Sequence, residues 1–318
     1  MSMDPNAIFA IRTPIQFLFR YKNAKVYVKR DDRIFYSQGT KIRKLLGIYH
    51  AILPFWKNGK IRKVRIVGNL HSNAVLAGVL FFRYLGIPVR SLVYSRNPVL
   101  ITPASQIAKR FSEISIFPTR EVWKESISIE EDSERIGGSA AGLEFLPKTG
   151  ELILPEYFFS SDALHGLNSL WEEIPEKEFD RVVIDIGSGL TWISAKDWGR
   201  TEVSGICIGL SREKMIPWFR ENISRLDRTF LSHLGDGMED PRDLKGAAYG
   251  FGSKNNAWIF KSLEYYKRTG IHLEPIYAAK SLAVMEERIE KGEWGDKILY
   301  IYQGGNLMGS PTGIYSIE

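Results

Sequence analysis

Ile184-Asp-Ile-Gly187-Ser188-Gly189-Leu190-Thr191 carries an apolar run straight into a Gly-Ser-Gly turn and out into a segment that reads as a helix. Small residues let backbone N–H groups approach an anion, and the first turn of a helix adds partial positive charge. A phosphate is the guest such a loop predicts, with an ordinary tight strand-to-helix turn as the alternative. Two nucleotide loops are excluded. A Walker loop ends in Gly-Lys-Ser/Thr, and the dinucleotide fingerprint needs a third small residue where Trp192 stands.

The same alternation extends outward. Apolar, β-branched runs at Lys63–Val67, Val89–Tyr94, Arg181–Ile186, Val203–Gly209 and Lys297–Tyr302 read as strands. Helix-length segments fall at Ile42–Phe55, Asn73–Leu85, Pro103–Phe111, Leu164–Glu173, Glu213–Ile223, Asn256–Thr269 and Ala278–Lys291, and Gly86-Ile-Pro88 ends the second by a glycine stop and a proline. Strands joined by crossover helices predict an α/β fold with a parallel-rich, twisted sheet flanked by helices. Glu121–Gly150 lacks a period and reads as an irregular connection or a mobile surface helix.

A chain of 318 residues exceeds what one core usually holds, so two lobes are expected. With 44% hydrophobic and 25% charged residues it is neither disordered nor fibrous. The single cysteine, Cys207, lies in an apolar run, so no intramolecular disulfide or cysteine metal cluster forms, and no metal is expected. Ala74–Phe82, the longest run without a polar side chain, is too short to span a bilayer, and residues 8–20 lack the features of a signal peptide. A cytoplasmic protein without a membrane partner is expected. Net charge is +6, and the densest basic stretch is Lys57 to Arg65. Without interleaved aromatic residues it reads as a solvated helix-to-strand connection, and no nucleic-acid partner is expected.

Two further loops carry polar chemistry. Val67-Gly68-Asn69-Leu70-His71-Ser72-Asn73 opens from a strand end into a helix, where catalytic groups gather in parallel sheets. Ser72 fits a nucleophile or proton carrier, and Asn73 fits a helix cap equally well; His71 is given no catalytic role. Gln38-Gly39-Thr40-Lys41-Ile42-Arg43-Lys44-Leu45 places a lysine at a helix start, where burial and neighbouring cations can lower the pKa of its amine.

In this order the segments resemble the pyridoxal-phosphate enzymes that include 1-aminocyclopropane-1-carboxylate deaminase and D-cysteine desulfhydrase. Val28-Lys-Arg-Asp-Asp32 with Gly39–Leu45 looks like the family's Lys-Arg-Glu-Asp and Gly-Asn-Lys-x-Arg-Lys-Leu, and Gly68 with Ser72-Asn73 is similar to its Gly-Gly-x-x-Ser-Asn. Glu274-Pro-Ile-Tyr277-Ala-Ala-Lys280 looks like Asp-Pro-Val-Tyr-x-Gly-Lys, and Gln303-Gly-Gly305 like the family's closing Gly-Gly. The resemblance implies that Lys41 carries pyridoxal 5'-phosphate and that Gly187, Ser188, Gly189, Leu190 and Thr191 cradle its phosphate. It further implies that Asn73 approaches the phenolic oxygen, that Gln303 lies near the pyridine nitrogen, and that Ser72 and Tyr277 act on the substrate. The fold it implies is the two-lobed fold type II, with residues 1–48 and 160–318 forming the larger, cofactor-binding lobe and 49–159 a smaller inserted one; a homodimer is expected.

The departures bear on activity. Thr40 stands for the asparagine before the lysine, Ala74 for a polar residue, and Glu156-Tyr-Phe-Phe159 for a glycine-rich turn near the substrate. The Tyr-Gly expected 26 residues before Tyr277 appears as Phe251-Gly252, with Tyr249 two residues away. Ala278 replaces the deaminase's glutamate and Gln303 a leucine or threonine. The function implied is elimination or deamination of a small amino acid to a 2-oxo acid and ammonia, D-cysteine desulfhydrase-like, with slow or absent cyclopropane opening. A non-catalytic ligand- or partner-binding chain and a β-replacement enzyme are the alternatives.

Overall fold

The structure, a computed structural model, describes residues 12–134, 139–140, 143–226, 232–244 and 256–305. It divides into two units: one holds Lys41–Leu167, the other the described parts of Ile11–Thr40 and Asn168–Glu318. Residues 49–159, the segment expected to form an inserted lobe, all lie in the first. Phe251, Gly252 and Tyr249 fall outside the described residues.

The second unit begins with an antiparallel hairpin, β1 (Ile15–Tyr21) and β2 (Ala24–Lys29). Its sequence, IQFLFRY-KN-AKVYVK, mixes aromatic and charged residues without strict alternation, which hid both strands from a periodicity reading. The first unit then runs α1 (Thr40–Lys57), β3 (Lys63–Asn69), α2 (Asn73–Tyr84), β4 (Val89–Tyr94), α3 (Pro103–Phe111), β5 (Glu113–Phe117) and α4 (Arg120–Glu134). It closes with β6 (Ser139–Ala140), β7 (Leu143–Leu146), β8 (Glu151–Leu154) and α5 (Ser161–Gly166). Its sheet has the order β5-β4-β3-β8-β7-β6, parallel from β5 through β8 and antiparallel beyond. Thr102 caps α3 in a reciprocal capping box with Ser105, and Pro103 occupies the first turn, where its missing N–H costs nothing.

The chain returns to the second unit through α6 (Asn168–Trp171), β9 (Arg181–Ile186), α7 (Leu190–Trp198), β10 (Glu202–Cys207), α8 (Arg212–Asn222), β11 (Met238–Glu239), α9 (Asn256–Thr269), α10 (Ala278–Glu290) and β12 (Lys297–Ile301). Here the order is β1-β2-β12-β9-β10-β11, with every pair but β1/β2 parallel. All six residues of β9 are buried, the apolar Val182–Ile184 and Ile186 together with the charged Arg181 and Asp185. Val183 of β9 packs in one core cluster with Ala278, Leu282 and Met285 of α10 and Tyr300 of β12. Two parallel-rich sheets flanked by helices make this an α/β fold.

Three local expectations change. The single helix read at Leu164–Glu173 is two short ones, and Gly166, the last residue of the first, meets α1 so closely that a Cβ there would lie 2.1 Å from the Arg43 carbonyl oxygen. Within Glu121–Gly150, the described start is the helix α4, whose buried Trp123 indole donates 2.9 Å to the Leu92 carbonyl and fixes α4 against β4. The basic stretch is not wholly solvated: Arg65 is fully buried, and its Nε donates 2.8 Å to Glu151. Cys207 is buried in β10 as expected, and burial pushes its thiol up to about 12. Among the described residues no helix is long and apolar enough to cross a membrane, and no cluster of metal ligands occurs.

Candidate functional site

The Gly-Ser-Gly turn leaves the carboxyl end of β9, the edge at which parallel sheets bind ligands. Gly189 is the N-cap of α7 at φ +93°, a left-handed conformation that favours glycine, and no side chain caps the helix. The N–H groups of the first turn therefore lack intrahelical acceptors. A Cβ built on Gly187 would meet nothing within 4 Å, so the floor of the turn is open. The opposite face is packed: a Cβ on Gly189 would stand 2.2 Å from the Phe219 ring, and the Trp218 indole donates 2.9 Å to the Ser188 carbonyl. Thr191 is buried, whereas Ser188 is half-buried. The loop is a cradle with one open side and one packed face, and no side chain caps the helix that follows it.

Gln303 belongs to the same unit. Its Nε2 donates 2.7 Å to the Asp185 carbonyl, and its Oε1 accepts from the Thr40 hydroxyl at 3.2 Å. The amide thus ties the end of β9 to the turn that precedes Lys41. Backbone bonds repeat the tie: the Thr40 N–H donates 3.2 Å to the Gln303 carbonyl, and the Gly305 N–H donates 2.7 Å to that of Ser37. The Asp185 side chain, which composition and spacing did not single out, is 8% exposed. It accepts from the Ser281 hydroxyl at 2.5 Å and from the Tyr300 hydroxyl at 2.9 Å. Burial, then the Asp185 charge, holds the Tyr300 phenol well above its usual range, so it remains a donor.

The Glu274-Pro-Ile-Tyr277 motif has a structural explanation. The buried Glu274 carboxylate accepts from the N–H groups of Ile276 (2.7 Å), Tyr277 (3.0 Å) and Ala278 (2.8 Å), satisfying the start of α10. Burial raises its pKa nonetheless. Tyr277 is the residue before the helix and half-buried, while Ala278 and Ser281, three residues apart on one face, are fully buried. Lys280 has its pKa lowered to about 8 by burial, against the pull of Glu274.

The first unit carries the remaining predicted residues. Lys41 is the second residue of α1 and is half-buried. One turn on, Lys44 is buried, and that burial, with the Lys41 charge added, lowers its pKa to about 7. This depressed amine is one that the Lys-Ile-Arg-Lys spacing contained and that sequence reasoning passed over. Ser72, not Asn73, caps α2, with its Oγ accepting 3.2 Å from the Val75 N–H. Capping uses a lone pair, so the hydroxyl proton is not consumed. Asn73 is buried, and its Oδ1 has no hydrogen-bond partner, an incomplete amide of the kind that a ligand completes. His71 is engaged with the Thr102 hydroxyl at 3.1 Å and the Ser95 hydroxyl at 2.9 Å, and burial lowers its pKa.

Beside this loop the first unit has a cavity of about 380 Å³ lined by Asn69, His71, Tyr94, Asn97, Leu100 and Arg120. Glu156 accepts from the Tyr94 hydroxyl at 3.2 Å and from Arg120 at 2.6 Å. Burial first and Glu156 second push the Tyr94 phenol up to about 12. Of the expected aromatic bulk, Phe158 and Phe159 are in the core, with the Phe158 ring against Gly78. Tyr157 and Phe158 both adopt φ of 62°, the bend that turns the second ring inward.

No protein-family model matches the chain. Two curated relatives match nearly all of it. A "Putative 1-aminocyclopropane-1-carboxylate deaminase" of Pyrococcus abyssi is 26% identical over 312 residues, covering 92% of this chain and 89% of that protein. Its namesake in Pyrococcus horikoshii is 26% identical with the same coverage. Among solved structures, an ACC deaminase homologue superimposes with a TM-score of 0.70 at 23% identity, over 97% of both chains. Threonine deaminase isoform 2 from Solanum lycopersicum does so at 0.64 and 14%, over 98% of this chain and 88% of that one. The fold is that of the fold type II pyridoxal-phosphate enzymes. The resemblance carried by the motifs thus extends along the backbone of nearly the whole chain.

Proposed function

We propose that this chain is a pyridoxal-phosphate enzyme that converts a small amino acid into a 2-oxo acid and ammonia, with D-cysteine the substrate to try first. The observation that supports it is the Gly187–Thr191 cradle, open at Gly187 and followed by the uncapped start of α7. The N–H groups of such a helix start suit a phosphate dianion. The cofactor supplies an electron sink that stabilises negative charge at the substrate α-carbon.

The chain supplies the rest. Lys41 is proposed to hold the cofactor covalently through its amine and then to move the proton at the α-carbon. Lys44, drawn towards neutrality, would leave a substrate carboxylate without a full second charge beside Lys41. Ser188 and Thr191 would add hydroxyl donors to the phosphate, and Asn73 would donate an amide N–H to the phenolic oxygen. Ser72, whose proton is not spent in capping, and Tyr277 are the groups proposed to deliver or accept protons at the substrate carbons. D-cysteine comes first because a thiolate leaving group makes the least demand on the sink. A cyclopropane lacks a conventional leaving group.

Protein purified with pyridoxal 5'-phosphate should absorb at visible wavelengths and release pyruvate and ammonia from D-cysteine. Absence of the visible band contradicts the cofactor. A band without 2-oxo acid from D- or L-cysteine, D- or L-serine or 1-aminocyclopropane-1-carboxylate contradicts the activity, and product formed only with added sulfide indicates β-replacement.

A further inference from the structure

Asp185 is a buried carboxylate two residues before the phosphate cradle, and nothing in the motif reading accounts for it. Side chains alternate along β9, so Asp185 shares a face with Val183, which packs in the core cluster with Ala278, Leu282 and Tyr300. An ionised carboxylate is expensive in such surroundings. The chain nevertheless builds a seat for it, with Ser281 bonded to one oxygen and Tyr300 to the other. Ser281 is itself fully buried. It lies on the same face of α10 as Ala278, one turn further along. The strand therefore presents a carboxylate to the helix face on which residue 278 has none to offer.

Resting on the cofactor reading above, we propose that Asp185 is the countercharge to the pyridine nitrogen, moved from the helix to the facing strand. A ligand whose phosphate lies at Gly187–Thr191 has its body at the carboxyl end of β9, and Asp185 is the acidic residue of that strand end. Its carboxylate points away from the cradle, towards α10, so it does not oppose the phosphate. Of the other buried carboxylates near Tyr300 and Tyr302, Glu274 is occupied by the Ile276, Tyr277 and Ala278 N–H groups and Asp32 is paired with Arg30. Lys280, next to Ser281 on α10, lies within the influence of Glu274 and Arg242 and over the Trp258 ring. Ser281 acts as a positioning residue for the carboxylate. The expectation of slow cyclopropane opening counted charges on the helix alone. With Asp185 in place the strength of the sink depends on residue 185.

The test compares cofactor-free protein binding pyridoxal 5'-phosphate with its binding the 1-deaza analogue, in which carbon replaces the ring nitrogen. If Asp185 answers that nitrogen, the wild-type protein binds the natural cofactor at least about tenfold more tightly, the worth of one charge-assisted hydrogen bond. In Asp185→Asn the preference should fall towards one. Equal affinity of the wild type for both compounds, or an unchanged preference in Asp185→Asn, overturns the proposal while leaving the cofactor reading intact. If the wild type binds neither compound, the cofactor reading fails and this proposal with it. Should Asp185→Asn not fold, Ser281→Ala removes one of the two hydroxyls, and its preference must fall part of the way; an unchanged preference there also overturns the proposal.

Discussion

Gly39 lies so close to Gln303 that a Cβ on residue 39 would stand 1.8 Å from the Gln303 carbonyl oxygen. Its φ of +57° already disfavours any other residue. This approach lets the Thr40 N–H reach the same carbonyl and fixes the turn from which Lys41 emerges. Gly39→Ala is therefore expected to cost more than about 2 kcal/mol, combining strain with loss of the clasp. Thermal unfolding of the variant measures it, and an unchanged midpoint would show that the clasp is dispensable.

The cradle offers a clean separation of folding from binding. Gly187→Val adds bulk where nothing lies within 4 Å, so stability should change by less than about 1 kcal/mol. Affinity for pyridoxal 5'-phosphate should nevertheless drop at least about tenfold, because the methyl groups stand where the phosphate approaches. Gly189→Val is the poorer test, since its Cβ would strike the Phe219 ring and unfold the loop whether or not a phosphate binds there. Equilibrium titration with the cofactor distinguishes the two.

Lys44 predicts a pH dependence of stability. Its folded pKa, about 7, lies below the value of an exposed lysine, about 10.4, so between these pH values the unfolded chain binds the extra proton. Stability should accordingly rise with pH across that window, by up to about 1.4 kcal/mol per unit, and this contribution should be flat below it. Lys44→Met should remove the rise. Urea unfolding of cofactor-free protein at several pH values between 6 and 10 gives the difference directly.

Arg65 and Glu151 form a buried ion pair with the half-buried Lys63 and Arg90 beside it. Positive neighbours hold the Glu151 carboxyl below its usual range, despite its burial. Glu151→Ala leaves a guanidinium buried beside an empty space and should cost about 3–5 kcal/mol. The double variant Arg65→Met/Glu151→Leu should recover much of that loss. Chemical denaturation of the three proteins tests the expected non-additivity.

What was legible before the structure was whatever depends on near neighbours. Val89–Tyr94, Arg181–Ile186 and Pro103–Phe111 are strands and a helix with the bounds their patterns gave, because their apolar runs end at glycine, proline or a capping threonine. The Gly-Ser-Gly turn after β9 could be read for the same reason. Asp185 could not, because its partners lie 96 and 115 residues further along the chain. Nor could the burial of Arg65, whose counter-charge is 86 residues away. Lys44 was visible as a charge and invisible as a buried amine, since a helix face is assigned to the core only by what packs on it. The cap at the start of α2 is Ser72 and not Asn73, a one-residue difference that only cap geometry resolves.

The most direct test of the cofactor assignment is borohydride reduction of the protein loaded with pyridoxal 5'-phosphate, followed by peptide mapping. The account predicts loss of the visible band and one phosphopyridoxyl group, carried by Lys41, with no such adduct and no band in Lys41→Ala. A reduced adduct on Lys44, Lys280 or any other lysine, or a wild-type protein with no adduct at all, would contradict it.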